Sequence, residues 1–269
     1  MIAFKHNSQN TDKRISHLYK HLDDIPYSIK LSASTIFGQI LEIGAIPHKT
    51  CPGDCLYCRH GRTSYKTVDR QSFYSIKKTT DAIVNVLREN RTVEYIVISG
   101  AGEVALNANL NWLIDSLKKL TSIPIAIISC GSLCWRISVK NDFLKANAVS
   151  VNIDSADRST YQIINQFHQL IPFDRYMAGI TDFRAAFRGD LYIRVCLLDG
   201  INTHESNFYK LVLQIKKLDP KAVFVSTSTA TIRNTKISDI PNEQLQSMAL
   251  HFGAKAQVIN IDSTIGRIN

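Results

Sequence analysis

The chain has 269 residues, of which 45% are hydrophobic, so it can bury a substantial core and is not a disordered protein. The longest apolar runs, such as residues 123–128, are too short to span a bilayer, and no apolar stretch of signal-peptide length is present near residue 1. We therefore expect a cytoplasmic protein with no membrane partner. The formal charge of +9 mildly favours RNA or another anionic substrate, although each short basic cluster alone is typical of a solvated helix face.

Strand-like and helix-like segments alternate along the chain. Residues 1–35 are polar, and we expect an N-terminal arm or an added helix there. Strands are recognised as short apolar, β-branched runs, and helices as stripes in which apolar residues recur every three or four positions. The predicted strands are residues 36–43, 95–99, 123–129, 148–153, 191–198 and 222–225. The predicted helices lie near residues 76–87, 110–120, 136–146, 208–218 and 245–252.

This alternation predicts an α/β fold. Near-continuous apolar strands separated by amphipathic helices are typical of a parallel sheet that helices cover. About six such units fit between residues 36 and 253, which suits a partial (β/α)6 TIM-like barrel with parallel strands better than a complete eight-unit barrel. No linker rich in glycine, proline or serine interrupts the region. We therefore expect one barrel domain over residues 36–269, with a helix and a strand at its C-terminal end.

The most informative motif is a loop with three cysteines, Cys51, Cys55 and Cys58, in the spacing C-x3-C-x2-C. A [4Fe–4S] cluster normally takes four thiolates, so three would leave one iron without a protein ligand, and an open metal position is where a metal site does chemistry. Tyr57 could stack on a flat ligand beside the cluster. In a second interpretation, His60 completes a Cys3His zinc site. A disulfide scaffold is disfavoured in a chain of this length.

Several segments occur in the order found in a known family, over about residues 36–230. They are Lys49-Thr50-Cys51 through Gly61-Arg62-Thr63, Ser99-Gly100-Ala101-Gly102-Glu103, Gly131-Ser132-Leu133 and Gly200-Ile201-Asn202. With the cysteine loop, they resemble the radical S-adenosylmethionine (SAM) enzymes, in the branch of iron–sulfur oxidoreductases related to the wybutosine-synthesising tRNA enzymes. Only the cysteine motif is specific by itself, and the other segments gain their weight from their order.

The resemblance implies a function. It implies a [4Fe–4S] cluster on Cys51, Cys55 and Cys58, with the amino and carboxylate groups of SAM chelated at the open iron. It further implies reductive cleavage of SAM to a 5′-deoxyadenosyl radical that abstracts hydrogen from a substrate, and an external electron donor such as flavodoxin or ferredoxin. The substrate class stays open between RNA, a peptide and a small molecule.

The resemblance also implies SAM contacts at the end of the second predicted strand. Gly100, Ala101, Gly102 and Glu103 stand where the family often has Gly-Gly-Glu-Pro, which contacts the methionine amino group. The glycines are split by Ala101, and Val104 replaces the common proline. The other interpretation is an ordinary turn between a strand and a helix, in which glycine supplies backbone freedom.

Further contacts are implied at the ends of later strands. Ser129 ends the third strand, and Asn152 and Asp154 end the fourth, where the family commonly touches the ribose or the methionine carboxylate. Asn152 retains hydrogen-bonding capacity although serine is usual there. An Asp at a strand end is also a frequent helix cap. For Asp154 the cap and the ligand role stay equally open.

Arg194 interrupts the apolar fifth strand, where a buried charge without a partner would be costly. It could grip the methionine carboxylate through two hydrogen bonds. The alternative is an ion pair with a barrel carboxylate such as Glu42 or Glu103. Near relatives often have an acidic residue here, so Arg194 could instead report on the substrate.

Cys130, Cys134 and Cys196 could ligate a second cluster or supply a redox thiol, but buried cysteines without a role are common, and we favour that interpretation. Residues 32–38 lack the arginine pair that near relatives usually have, and residues 226–231 lack their usual proline-rich sequence.

Two hypotheses about the function remain. The first is a radical SAM enzyme, and the second is a non-catalytic iron–sulfur or zinc protein that binds nucleic acid.

Overall fold

An eight-stranded sheet forms the centre of the protein, whose computed structural model describes residues 28–90, 92–232 and 235–260. The strands are β1 Ile29–Ser34, β2 Gly38–Gly44, β3 Thr50–Cys51, β4 Tyr65–Lys66, β5 Tyr95–Ser99, β6 Ile125–Ile128, β7 Ala148–Asn152, β8 Asp190–Leu197, β9 Ala222–Thr227, β10 Ala230–Ile232, β11 Thr235–Ile237 and β12 Ala256–Val258. The helices are α1 Ile76–Glu89, α2 Leu110–Leu120, α3 Ile137–Phe143, α4 Arg158–Ile164, α5 Phe173–Ala186, α6 Glu205–Lys217 and α7 Asn242–Leu250, with a short 3-10 helix at Val104–Leu106.

The strand order is β1-β2-β5-β6-β7-β8-β9-β12, and every neighbouring pair from β2 to β12 is parallel. Among the described strands of this sheet, β1 alone runs antiparallel, against β2. The end strands β1 and β12 do not pair with each other, so the described eight-stranded sheet is open. At least one helix lies between each pair of consecutive parallel strands. The predicted α/β partial barrel with parallel strands is confirmed.

The strands are apolar because both faces of the sheet are covered, as is usual for parallel strands. On β5, Ile96 and Ile98 belong to the main core between sheet and helices, and Val97 belongs to a smaller cluster on the other face. The helices contribute one apolar stripe each. On α2 the buried stripe is Leu110, Leu113, Ile114 and Leu117. Across the described residues, no helix has the length and apolar character needed to cross a membrane.

Three features differ from the sequence-based expectations. Residues 1–27, most of the expected N-terminal arm or helix, lie outside the described residues, but Ile29–Ser34 is a strand on the edge of the sheet. Helices α4 and α5, between β7 and β8, were not expected. Asp157 begins α4 by accepting a hydrogen bond from the Thr160 backbone N–H at 2.9 Å. The hairpin of β10 and β11 was not expected either.

Candidate functional site

The cysteine loop follows β2 and is fastened to the turn that follows β5. The Lys49 N–H donates to the Ala101 carbonyl at 2.8 Å, and the Glu103 N–H donates to the Thr50 carbonyl at 3.0 Å. A side chain at Gly102 would place its Cβ 2.3 Å from the Thr50 oxygen, so only glycine allows this close approach. The two segments implied in cluster and SAM binding therefore lie backbone against backbone.

One pocket at the carboxyl ends of the strands collects all the predicted site residues except Asp154. Its lining includes Cys51, Cys55, Cys58, Tyr57, Gly100, Ala101, Gly102, Glu103, Ser129, Asn152 and Arg194. The sequence-based expectations did not assign a role to several other lining residues, namely Lys49, Arg59, Ile128, Val195, Ser226 and Ile259. Lys49 and Ser226 belong to segments named in the sequence analysis, residues 49–63 and 226–231. Their place in these segments is the sequence signal that could have identified them as site residues.

Glu103 links the turn after β5 to the end of β6. Its Oε1 accepts hydrogen bonds from the Ala105 N–H at 2.9 Å and from the Ser129 hydroxyl at 2.6 Å. Its Oε2 accepts the Cys130 N–H at 2.7 Å. Glu103 thus caps the short 3-10 helix and lines the pocket as well, so the turn and the ligand interpretations are compatible. A carboxylate oxygen can accept more than one hydrogen bond, which leaves Oε2 with capacity for a ligand donor.

A buried hydrogen-bond network holds Tyr57 in place. Its hydroxyl donates to Asp154 Oδ2 at 2.6 Å and accepts from Asn152 Nδ2 at 2.9 Å. Asp154 also accepts from Asn165 Nδ2 at 3.0 Å and from the Cys196 N–H at 2.8 Å. Burial raises the pKa of Asp154 despite these donors. Asp154 lies behind Tyr57 rather than on the pocket wall, and the helix cap is Asp157, so the cap interpretation of Asp154 is wrong.

We expect Asp154→Ala to lower the free energy of unfolding by about 3 kcal/mol, because several buried donors lose their acceptor and each such group costs about 1–3 kcal/mol. Urea unfolding of the metal-free protein measures the change. The control is Asp157→Ala, which removes a helix cap and should cost only about 1 kcal/mol. Equal losses in the two variants would contradict the anchoring role of Asp154.

Arg194 lies on β8 beside Asn152, its registered neighbour on β7. Its Nη2 donates to the Ser129 carbonyl at 3.1 Å and to Asn152 Oδ1, and both of these partners are neutral. Its Nε is buried, and no group of the described residues forms a hydrogen bond with it. The two carboxylates considered as ion-pair partners of Arg194 have other partners. Glu42 accepts a hydrogen bond from the Ser99 hydroxyl, and its Oε2 lies 3.8 Å from Lys30 Nζ. Glu103 accepts the three hydrogen bonds described above. A pocket-lining guanidinium without a bound carboxylate is suited to an anionic ligand.

The thiols differ in their surroundings. A hydrogen bond from Cys130 lowers the pKa of the Cys51 thiol, and burial raises the pKa of Cys55. Burial and the nearby charges of Arg59 and Lys49 lower the pKa of His60 to about 4, so its imidazole is neutral near pH 7.

The remaining three cysteines do not lie together. Cys130 and Cys196 line the pocket, whereas Cys134 packs in the main hydrophobic core, where burial raises the pKa of its thiol. Cys130 also approaches the Ser132 hydroxyl at 3.0 Å. The core position of Cys134 fits the expectation of a buried cysteine without a chemical role.

The residues of the pocket fit a cluster and SAM. Three thiols of one loop line it, a lysine ammonium lies against one of them, and the Arg194 guanidinium lines the same pocket. Among the described residues, no three His, Cys, Asp or Glu side chains converge as ligands of a single ion would. A cubane places each thiolate on a different iron, so its cysteines need not converge on one point.

The arrangement is a partial barrel with a three-cysteine pocket at the carboxyl ends of its strands, and comparison with known proteins specifies its class. The family model of the radical SAM superfamily matches residues 45–212. This chain therefore belongs to the radical SAM superfamily, whose members are enzymes that use a [4Fe–4S] cluster and SAM.

Two relatives illustrate the similarity in sequence. The UPF0026 protein MJ1312 of Methanocaldococcus jannaschii is 35% identical over 193 residues, which cover 71% of this chain and 60% of that protein. A Brachyspira hyodysenteriae protein named GTPase Obg is 29% identical over 237 residues, which cover 85% of this chain and 35% of that protein. This chain thus spans only part of the length of these relatives.

Solved structures show the same fold at low sequence identity. A structure of TYW1 with a lysine–pyruvate adduct bound has a TM-score of 0.59 at 15% identity, with 79% of this chain and 72% of that chain covered. Streptococcus suis SuiB bound to SAM has a TM-score of 0.58 at 14% identity, with 97% and 57% covered. These similarities support the partial barrel and not a particular substrate.

Proposed function

We propose that this protein holds a [4Fe–4S] cluster on Cys51, Cys55 and Cys58 and cleaves SAM reductively to start a radical reaction on a substrate. The observation that carries the proposal is the single pocket in which these three thiols meet the turn after β5 and the ends of β6, β7 and β8. A reduced cluster bound there would supply the electron that cleaves SAM into methionine and a 5′-deoxyadenosyl radical, and this radical would abstract hydrogen from the substrate.

The chain's own residues divide into those that contact SAM and those that position others. Glu103 Oε2 accepts a hydrogen bond from the methionine amino group, and Gly100, Ala101 and Gly102 allow its close approach. Arg194 lines the pocket and binds the methionine carboxylate through the guanidinium donors that Ser129 and Asn152 leave free. The ring of Tyr57 forms a flat wall beside the cluster, and Asn152 retains one N–H for the ribose.

Ser129 and Asp154 act through their neighbours. The Ser129 hydroxyl donates to Glu103 and accepts the Gly131 N–H at 2.9 Å, so its hydrogen-bonding capacity is largely used. It orients Glu103, and its carbonyl orients Arg194. Asp154 orients Tyr57 from behind the pocket wall. We therefore treat both as positioning residues rather than direct ligands of SAM.

Members of the superfamily generally need an external reductant, and we propose a flavodoxin or a ferredoxin for this one. The substrate is RNA, a peptide or a small molecule. The net charge of +9 gives RNA modest support through its anionic backbone. The unusual sequence of residues 226–231 contributes Ser226 to the pocket, which points to a substrate different from that of the better-known tRNA enzymes.

Formation of 5′-deoxyadenosine tests the proposal. The protein is reconstituted anaerobically with iron and sulfide, then given dithionite and SAM, and a variant with Cys51, Cys55 and Cys58 all replaced by alanine serves as the control. We expect product from the wild type only. A colourless protein that binds one zinc and gives no product would instead support the non-catalytic zinc alternative, since zinc has no redox chemistry. A brown cluster without any product, even with SAM bound, would support the iron–sulfur binding protein.

A further inference from the structure

Lys49 lies two residues before the first cysteine and is buried, with 3% of its surface exposed. Its Nζ lies 3.0 Å from Cys58 Sγ, the last sulfur of the motif. Lysine is almost never fully buried unless its charge has a partner. Here the partner is a cysteine sulfur, which becomes anionic when it ligates a metal. The lysine charge is therefore placed at the position where a cluster would bring negative charge.

The backbone of Lys49 supports the same interpretation. Its φ angle is +54°, in the left-handed region that is costly for residues other than glycine. The conformation is held from both sides, since the Lys49 N–H donates to Ala101 and its carbonyl accepts from Ser64 at 3.1 Å and Tyr65 at 3.2 Å. Such strained positions persist where the surroundings fix them, and they cluster at functional sites. This turn directs the long side chain back under its own loop to Cys58.

A buried cation next to a cluster ligand has a defined effect. Reduction adds one electron, and hence one negative charge, to the cluster and its thiolates. An ammonium in a medium of low dielectric constant stabilises the reduced form more than the oxidised form. Net charge and hydrogen bonds to sulfur are among the factors that set the reduction potential of iron–sulfur clusters.

We propose that Lys49 is a positioning residue that orients Cys58 and raises the reduction potential of the cluster. This inference rests on the proposed function, because it requires the cluster. The electron comes from the external low-potential donor, and the cluster is the oxidant. No bond to Lys49 forms or breaks.

The test is an electron paramagnetic resonance redox titration of reconstituted Lys49→Met and Lys49→Gln, which both remove the charge, while only glutamine can still donate a hydrogen bond. At the wild-type midpoint we expect the ratio of reduced to oxidised cluster to fall about tenfold in both variants, equivalent to about 59 mV for one electron. Iron content and circular dichroism establish that each variant is folded and loaded.

The matched control is Lys66→Met. Lys66 lies on β4 opposite Cys51 and is exposed, with its ammonium bonded to the Gln166 carbonyl. The Lys66→Met substitution removes one positive charge that does not contact a cysteine sulfur. We therefore expect the ratio of reduced to oxidised cluster to change less than twofold. An equal shift in the control would mean that net charge acts nonspecifically and would overturn the role of Lys49.

The remaining outcomes are separable. Folded Lys49 variants that no longer take up iron support the orienting role at Cys58. Loaded variants with the wild-type potential overturn the inference and leave the proposed function intact, and variants that fail to fold would show that Lys49 serves only the structure. A wild-type protein that takes up no cluster would overturn the proposed function itself.

Discussion

Replacing Cys58 with alanine is expected to abolish cluster binding and SAM cleavage while the protein remains folded. Iron content should fall from about four per chain, as a [4Fe–4S] cluster contains, to less than one. The reason is that only three cysteines of the loop are available as ligands, so the loss of one leaves two. The fold should survive because Cys58 is only partly buried and lies in a loop outside the main core.

Iron and sulfide analysis, together with the visible absorption of anaerobically reconstituted protein, measures this result. The matched control is Cys134→Ala, since Cys134 is buried in the core and does not line the pocket. That variant should lose some stability through the cavity it creates but should bind the wild-type amount of iron. Full iron content in Cys58→Ala, or equal iron loss in Cys134→Ala, would contradict the assignment of the ligands.

The parts of the fold that were predictable from the sequence are those in which burial alone selects the element. The strand Tyr95–Ser99 and the helix Leu110–Leu120 have the limits that the pattern predicted. Both have an apolar pattern that follows directly from their place in a covered parallel sheet. The limits of other elements differ from the predicted ones by a residue or more. For example, the strand predicted at residues 123–129 is Ile125–Ile128 in the structure.

Strand β1 was missed because its structure depends on its neighbour. It is an edge strand in which apolar and polar residues alternate, and pairing with β2 sets its register. A local signal did exist: the Ser34 hydroxyl accepts the N–H groups of Ile36 and Phe37, both at 3.2 Å, and Gly38 has a φ of +71°. Such a serine and glycine pattern is typical of a turn between two strands.

The composition of the candidate site was largely predictable, because the carboxyl ends of parallel strands meet at one edge of the sheet. Which of these residues contact a ligand and which position other residues was not predictable from the sequence. The partners of Asp154 are Tyr57, Asn165 and Cys196, of which Tyr57 and Cys196 come from distant segments, so its support of Tyr57 depends on tertiary packing. The contact of Lys49 with Cys58 likewise depends on a backbone conformation that is unusual for lysine.

Arg194→Met is expected to weaken SAM binding about 100-fold while changing the free energy of unfolding by no more than about 1 kcal/mol. A hydrogen bond to a charged group contributes about 1.5–3 kcal/mol, and two such bonds to a carboxylate are consistent with a loss of this size. The folded protein should tolerate the change. Removing a buried guanidinium that has no direct ion pair relieves its desolvation, which offsets the lost hydrogen bonds to Ser129 and Asn152 and the lost attraction to the nearby Asp154 and Glu103.

The combination of the two measurements separates a binding role from a structural one. Isothermal titration with SAM under anaerobic conditions gives the affinity, and urea unfolding gives the stability. Arg184→Met is the control, because the Arg184 side chain donates to the carbonyls of Leu218 and Phe187 and does not line the pocket. It should lose stability and bind SAM normally. If Arg194→Met behaves like this control, Arg194 is a structural residue, and the anion that the pocket accepts must be held by other groups.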